Sequence, residues 1–418
     1  MMMKMKQCQT WCKGIPYAFL LFMAAAFAGR AFLGFDWSDE SMYLALPYRF
    51  VLGDRPFLDS WDSHQLWGLL MVPAVKGYLL LFGSMDGAIL FFRIAFVLFQ
   101  GIVAVLAYQI ILRLTGRRFP SFVAAAIFFA FTPSSISAFS PMTVSSCFMM
   151  LSALLSLVMA GRLSKRLKLC GFLSGLCFAV SSFSYPLFLI ALPCYLALPL
   201  FLTPDLEKGK NGRAAMALSF LAGCALTWMA VTVYLIAAIG FYPALKGIVS
   251  SFALKSFHHL AESTSLFLKD YYHLVFFALL QVTLLFCILL GKISNLPAAA
   301  YIFQFLVRFF LPVCVLLQTA FLLIQSESDL PAVSKLNQMQ ACAGFWPLVL
   351  FALHPSKRSA AYLMVFYLPA NLMAWASYVT DGNGITGASF SLNLAVVTAF
   401  FMVWERCPVK KSKRKSLL

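Results

Sequence analysis

Apolar runs of about 20 residues, the length an α-helix needs to cross a bilayer, recur along this chain with short polar stretches between them. They are Ile15–Leu33, Gly87–Leu112, Phe119–Phe131, Met142–Met159, Leu169–Phe183, Pro186–Leu202, Ala214–Phe241, Leu274–Leu290, Pro297–Ile324, Met339–Leu353, Ala360–Tyr378 and Ile385–Val403. The pattern predicts an all-α polytopic membrane protein with about twelve transmembrane helices. One further run, Leu66–Phe82 (LWGLLMVPAVKGYLLLF), carries Pro73 and Lys76 in its middle and reads as an interfacial helix.

The polar connections separate by charge. Lys4, Lys6 and Lys13, the clusters Arg113/Arg117/Arg118, Arg162/Lys165/Arg166/Lys168, Lys208/Lys210/Arg213, Lys292, Lys357/Arg358 and the six basic residues from Arg406 to Lys415 fall on one face. Arginine and lysine mark the cytoplasmic side, so both termini are expected inside. The opposite face receives the seven acids from Asp36 to Asp86 together with Glu262, Asp270, Glu327, Asp329 and Asp381. If Leu66–Phe82 crossed the membrane, every later basic cluster would change sides. Its interfacial reading makes residues 35–86 an enlarged first external loop bearing juxtamembrane helices, and residues 242–273 a second long one. Residues 1–404 then form one integral membrane domain, and 405–418 form a basic cytoplasmic tail resting on anionic lipid.

Composition agrees, with 62% hydrophobic and 11% charged residues among 418 and a mean hydropathy of +0.86. The net charge of +17 could indicate a nucleic-acid binder, but the basic residues lie in short clusters between apolar runs, so that class is excluded. The eleven cysteines fall in apolar runs or in segments placed in the cytoplasm, which implies free thiols and no disulfide framework. Cys8 and Cys12 have no second pair at ligand spacing. The basic start followed by Ile15–Ala28 resembles a signal peptide, but its apolar run is long and is expected to remain as the first span.

Six of the fifteen acids sit between residues 35 and 64: Asp36, Asp39, Glu40, Asp54, Asp59 and Asp62. Carboxylates gathered beside a membrane cost free energy unless water or a ligand meets them. Asp39-Glu40 follows Ser38, a good N-cap, so the pair is expected in the first turn of a short helix with Tyr43 one turn further on. Such a carboxylate suits a general base, and capping of an ordinary loop is the plain alternative. Asp62 and His64 belong to a second polar knot with Trp61 and leave a divalent cation open, although no metal motif matches. Arg93 lies inside the second span near its outer end, where phosphate contact and snorkelling are comparable readings. Arg308 sits deep in an apolar segment, and Lys255 and His259 lie in a basic second loop opposite in sign to the first. No phosphate-binding loop, nucleophile elbow, zinc-protease or dinucleotide fingerprint is present.

The order of Asp36-x-x-Asp39-Glu40-x-x-Tyr43, Gly53-Asp54-x-Pro56-x-x-Asp59 and Trp61-Asp62-x-His64, then an amphipathic stretch ending in Phe82-Gly83 and Arg93 opening the next span, resembles the GT-C glycosyltransferases. Within them it is most similar to the bacterial branch of lipid A aminoarabinose transferases and Rgt-type sugar transferases, with protein O-mannosyltransferases more distant. The resemblance covers residues 15–120 by motif and 15–290 by layout. It implies a GT-C fold in the cell membrane and sugar transfer, usually with inversion, from a polyprenyl-phosphate donor to a glycan, lipid or protein acceptor outside the cytoplasm. It also implies Asp39 as the base, with Glu40 beside it and Asp36 as the alternative. Arg93, Lys255 and His259 become candidates for the donor phosphate by position, and His64, Asp62, Tyr43 and Arg308 remain substrate-binding candidates. The chain departs from the family at His64-Gln65-Leu66, where many members have a Pro-Pro pair. A transporter of an anionic lipid-linked saccharide using Arg93 and Arg308 is the second expectation, and a non-catalytic membrane scaffold is the third.

Overall fold

In the computed structural model, the described residues are 2–33, 40–60, 65–130, 138–160, 167–201, 211–252 and 355–381, with single positions at 265, 347, 351 and 398. They are mostly helical, and no strand occurs among them. The helices are α1 (Met2–Arg30), α2 (Glu40–Leu52), α3 (Gln65–Phe82), α4 (Ala88–Thr115), α5 (Arg118–Ala130), α6 (Pro141–Ala160), α7 (Leu167–Ser184), α8 (Leu192–Ala197), α9 (Asn211–Ile239), α10 (Phe241–Phe252), α11 (Lys357–Tyr362) and α12 (Leu368–Asp381). Five stretches among the described residues are long and apolar enough to cross a membrane: Gln65–Phe82, Ala88–Thr115, Pro141–Met159, Ala214–Ile239 and Ser359–Ala376. The chain is a membrane-embedded helical protein. The expected spans Leu274–Leu290 and Pro297–Ile324 lie outside the described residues, as do nearly all of Met339–Leu353 and Ile385–Val403.

Two features hold the long helices together. Where α7 meets α9 the backbones touch: a Cβ on Gly175 would stand 2.0 Å from the Phe220 carbonyl oxygen, and one on Gly223 would stand 2.1 Å from that of Phe172. Small residues allow this approach, which replaces the hydrophobic drive that lipid removes. Between α6 and α7, buried serines bond across the crossing. Ser145 Oγ donates to the Ser181 carbonyl at 2.5 Å and Ser181 Oγ donates back at 2.9 Å, while Ser174 Oγ reaches the Ser152 carbonyl at 2.8 Å. These bonds satisfy hydroxyls that an apolar surround would otherwise penalise.

The expected span Pro186–Leu202 is not one regular helix. It forms a 3-10 turn over Pro186–Ala191, then α8, then a second 3-10 turn over Leu198–Phe201. Prolines at 186, 193 and 199 remove a backbone donor in each piece and deny it a continuous ladder. The same physics acts between α11 and α12, where Leu363–Tyr367 is a π-helical turn just before Pro369. Pro369 cannot donate to Val365, four residues back, and the buried Tyr195 hydroxyl donates to that carbonyl at 3.3 Å instead.

The run expected to lie at the interface is one continuous helix, α3, which passes through Pro73 unbroken. Gly68, Met71, Val75 and Tyr78 form its buried stripe, whereas Lys76, Leu80 and Leu81 are exposed. It packs chiefly on α2, which at 13 residues reaches only about 20 Å and is too short to cross.

Candidate functional site

The site is assembled where α1 ends, α2 begins and α4 passes. Glu40 is the first residue of α2, so its carboxylate lies in the first turn, where the helix dipole favours the ionised form, and the expected N-cap Ser38 lies outside the described residues. Arg93, the sixth residue of α4, reaches it with two parallel bonds: Nε donates to Oε1 at 2.7 Å and Nη2 donates to Oε2 at 2.6 Å. Its Nη1 donates to the carbonyl of Ala31, just past α1, at 2.9 Å. Both side chains are buried, with residue exposures of 6% for Glu40 and 5% for Arg93. The bidentate geometry is what allows a charge pair to survive out of water, because each guanidinium donor on that edge meets an acceptor.

This pair gives two of the sequence candidates a shared structural partner. Arg93 was divided between phosphate contact and snorkelling. It does not reach solvent, and its charge is met by Glu40. Glu40 was placed beside the base as a second catalytic carboxylate, and both of its oxygens are held by Arg93. The two residues fix three helices to one another, and they seat the residue that follows Asp39. Asp36 and Asp39 themselves lie outside the described residues, as do Asp62, His64, Lys255, His259 and Arg308. Tyr43 is described: it is half-buried on α2, and its carbonyl accepts the Trp67 indole N–H of α3 at 3.4 Å.

The remaining described acids of the stretch form a surface knot. Arg49 Nε bonds Asp54 Oδ2 at 2.6 Å, and its Nη2 donates to the Asp59 carbonyl at 2.9 Å. Asp59 Oδ2 accepts from the Arg55 backbone N–H at 2.7 Å and from Arg55 Nε at 3.2 Å. The Arg55 guanidinium, assisted by the backbone N–H, holds the Asp59 carboxyl below the ordinary carboxylate value. Asp54 and Asp59 are therefore turn-forming groups, as expected for solvated loop acids. The cations that neutralise them, Arg49 and Arg55, were overlooked as a set, although Arg55 precedes Asp59 by the four residues that favour such a pair. Asp86 closes the turn before α4: Ser84 Oγ donates to its Oδ2 at 2.8 Å, and the Tyr78 hydroxyl donates to its carbonyl.

Phe57 links the knot to the second long connection. Its φ is +61°, in the left-handed region that bulky side chains avoid, and its ring fills the space that a side chain on Gly247 of α10 would need. Phe57 N–H donates to Gln65 Oε1 at 3.2 Å. The sequence reading treated Gln65 only as a departure from a motif, yet it is 1% exposed. Α buried amide at a helix start has no periodic signature, so only the fold reveals it.

Among the described residues, no three His, Cys, Asp or Glu side chains gather in a way that could hold a metal ion. The chain matches no family model, no curated protein and no solved structure.

Proposed function

We propose that the protein is a membrane glycosyltransferase that moves a sugar from a polyprenyl-phosphate donor to an acceptor hydroxyl on the extracytoplasmic face, with Asp39 as the general base. The observation that carries this reading is the Glu40–Arg93 clamp, which anchors the start of α2 to α1 and α4 and so restrains the residue next to Asp39. A phosphate leaving group asks little covalent chemistry of the protein. It needs an oriented hydroxyl, a carboxylate to take its proton and positive charge on the departing phosphate. Because Glu40 neutralises Arg93, the phosphate charge is assigned mainly to Lys255 and His259, with Arg308, His64 and Asp62 completing the donor site. Tyr43 is placed on the acceptor side, and Asp36 stands as the alternative base.

In this reading the chain has about twelve spans in a GT-C arrangement, lies in the cell membrane with both termini in the cytoplasm, and contributes to cell-envelope glycans. Asp39→Asn, purified and reconstituted with an undecaprenyl-phosphate hexose, should lose transfer while inserting and expressing like the parent protein. Full transfer by Asp39→Asn with none by Asp36→Asn would move the base to Asp36. Full transfer by both would overturn the reading, and movement of intact lipid-linked sugar across vesicles would put a transporter in its place.

A further inference from the structure

Two buried polar atoms, on helices that pack against each other, have no hydrogen-bond partner among the described residues: Gln65 Nε2 and Ser184 Oγ. Each residue is 1% exposed. Gln65 opens α3 and Ser184 closes α7. Their chain neighbours Leu66 and Phe183 sit in one small apolar cluster with Leu235 of α9 and Ala244 of α10, against which Phe57 packs. A buried donor left unpaired costs roughly 1–3 kcal/mol, and at this burial bulk water does not reach either group to relieve it. Two such groups at one helix junction call for an occupant.

We propose that Gln65 and Ser184 form a subsite for a hydroxyl-bearing ligand and, given the glycosyltransferase reading on which this rests, that the occupant is the sugar ring of the lipid-linked donor. The chemistry favours a neutral polyol. An amide N–H2 offers donors, a serine hydroxyl both gives and accepts, and neither contributes a charge. Gln65 is pre-oriented, because its Oε1 is already bound to the Phe57 N–H. A site that reads hydroxyls in this way discriminates by leaving its own groups unpaired when the hydroxyl is missing. The position also fits a membrane substrate, since α10 presents Phe241, Tyr242, Leu245 and Val249 outward as an apolar face beside the same cluster.

The test compares wild type, Ser184→Ala and Gln65→Leu in nanodiscs for binding of undecaprenyl phosphate and of the same lipid carrying a hexose. Each variant should weaken the hexose-bearing lipid by about 3- to 10-fold. Neither should change binding of the bare lipid; the ligand-free melting temperature of Ser184→Ala should stay level or rise, because an unpaired group has been removed, whereas Gln65→Leu also strands the Phe57 N–H and should melt lower. Equal weakening of both lipids, or unchanged binding of both, would overturn the subsite and leave the enzymatic reading standing. A lower ligand-free melting temperature for Ser184→Ala with unchanged binding would identify a buried-water site and also overturn it. Failure of wild type to bind either lipid would remove the enzymatic reading itself.

Discussion

Arg93 on α4 and Glu40 on α2, 53 residues apart in sequence, share two bonds of 2.7 and 2.6 Å inside the protein. A pair like this need not add net stability over an apolar pair of the same shape, because desolvation offsets much of the attraction. Its effect is to make the position of α2 unambiguous. The carboxylate meets the guanidinium through both of its oxygens in an environment where an unmet charge is costly, so α2 cannot shift without breaking both bonds.

Removing one member should therefore be far worse than removing both. Glu40→Gln or Arg93→Met alone is expected to cost about 3–5 kcal/mol, since each strands a buried charge or its polar counterpart. Combining the two should recover a large part of that loss. Thermal unfolding of the four proteins in detergent gives the coupling directly, and additive losses would show that the pair does not act as a unit.

The Glu40–Arg93 contact also marks what could be read from sequence. The long helices were legible because apolar runs and basic clusters repeat, and the start of α2 was legible from Ser38 followed by Asp39-Glu40. The partner of Glu40 was not, because a contact across 53 residues leaves no local period, and Arg93 alone looks like any intramembrane arginine. The break-up of Pro186–Leu202 could have been read from its prolines, but mean apolarity outweighed them. The Gln65 and Ser184 environments depend on four elements meeting, which no window of sequence contains.

The α7–α9 crossing should tolerate no side chain at its centre. Gly175→Ala or Gly223→Ala would drive Cβ against a backbone carbonyl, and relieving that contact requires the helices to separate, at a cost of about 1–3 kcal/mol or more. Gly77 of α3 is the control, because a Cβ there meets nothing within 4 Å. Gly77→Ala should be neutral or slightly stabilising through helix propensity. Melting temperatures of the three variants check this, and equal tolerance at all three positions would contradict the close crossing.

The surface knot should respond to acid with a defined sign. Asp59 has its carboxyl held below the ordinary value, so its contribution is present above the unfolded-state pKa of about 3.9 and is lost as pH falls through the lower folded-state value. Hydrogen exchange of residues 53–60 should thus be flat from neutral pH to about 4 after correction for intrinsic rates, and protection should fall only below that. Arg55→Ala should move the loss upward in pH. The Asp59 carboxylate is solvent-exposed, so the effect belongs to the loop and not to global stability.

The last prediction concerns α3, whose length and apolarity permit a crossing while its sequence context argues against one. A crossing would require Leu52 and Ser84 to lie on opposite sides, and it would send the Arg113, Arg117 and Arg118 cluster to the extracytoplasmic face against the charge rule. An interfacial α3 keeps Leu52 and Ser84 on one side, with its buried stripe on α2 and with Leu80, Leu81 and Phe82 exposed toward the lipid boundary. In a cysteine-free background, Leu52→Cys and Ser84→Cys should both react with a membrane-impermeant maleimide on intact cells, and Arg118→Cys only after permeabilisation. Labelling of Leu52→Cys and Arg118→Cys on intact cells with Ser84→Cys protected would make α3 a span. The Asp39 region would then remain outside, but every basic cluster from Arg113 to Lys357 would be displaced, and Lys255 and His259 would no longer share a side with Asp39.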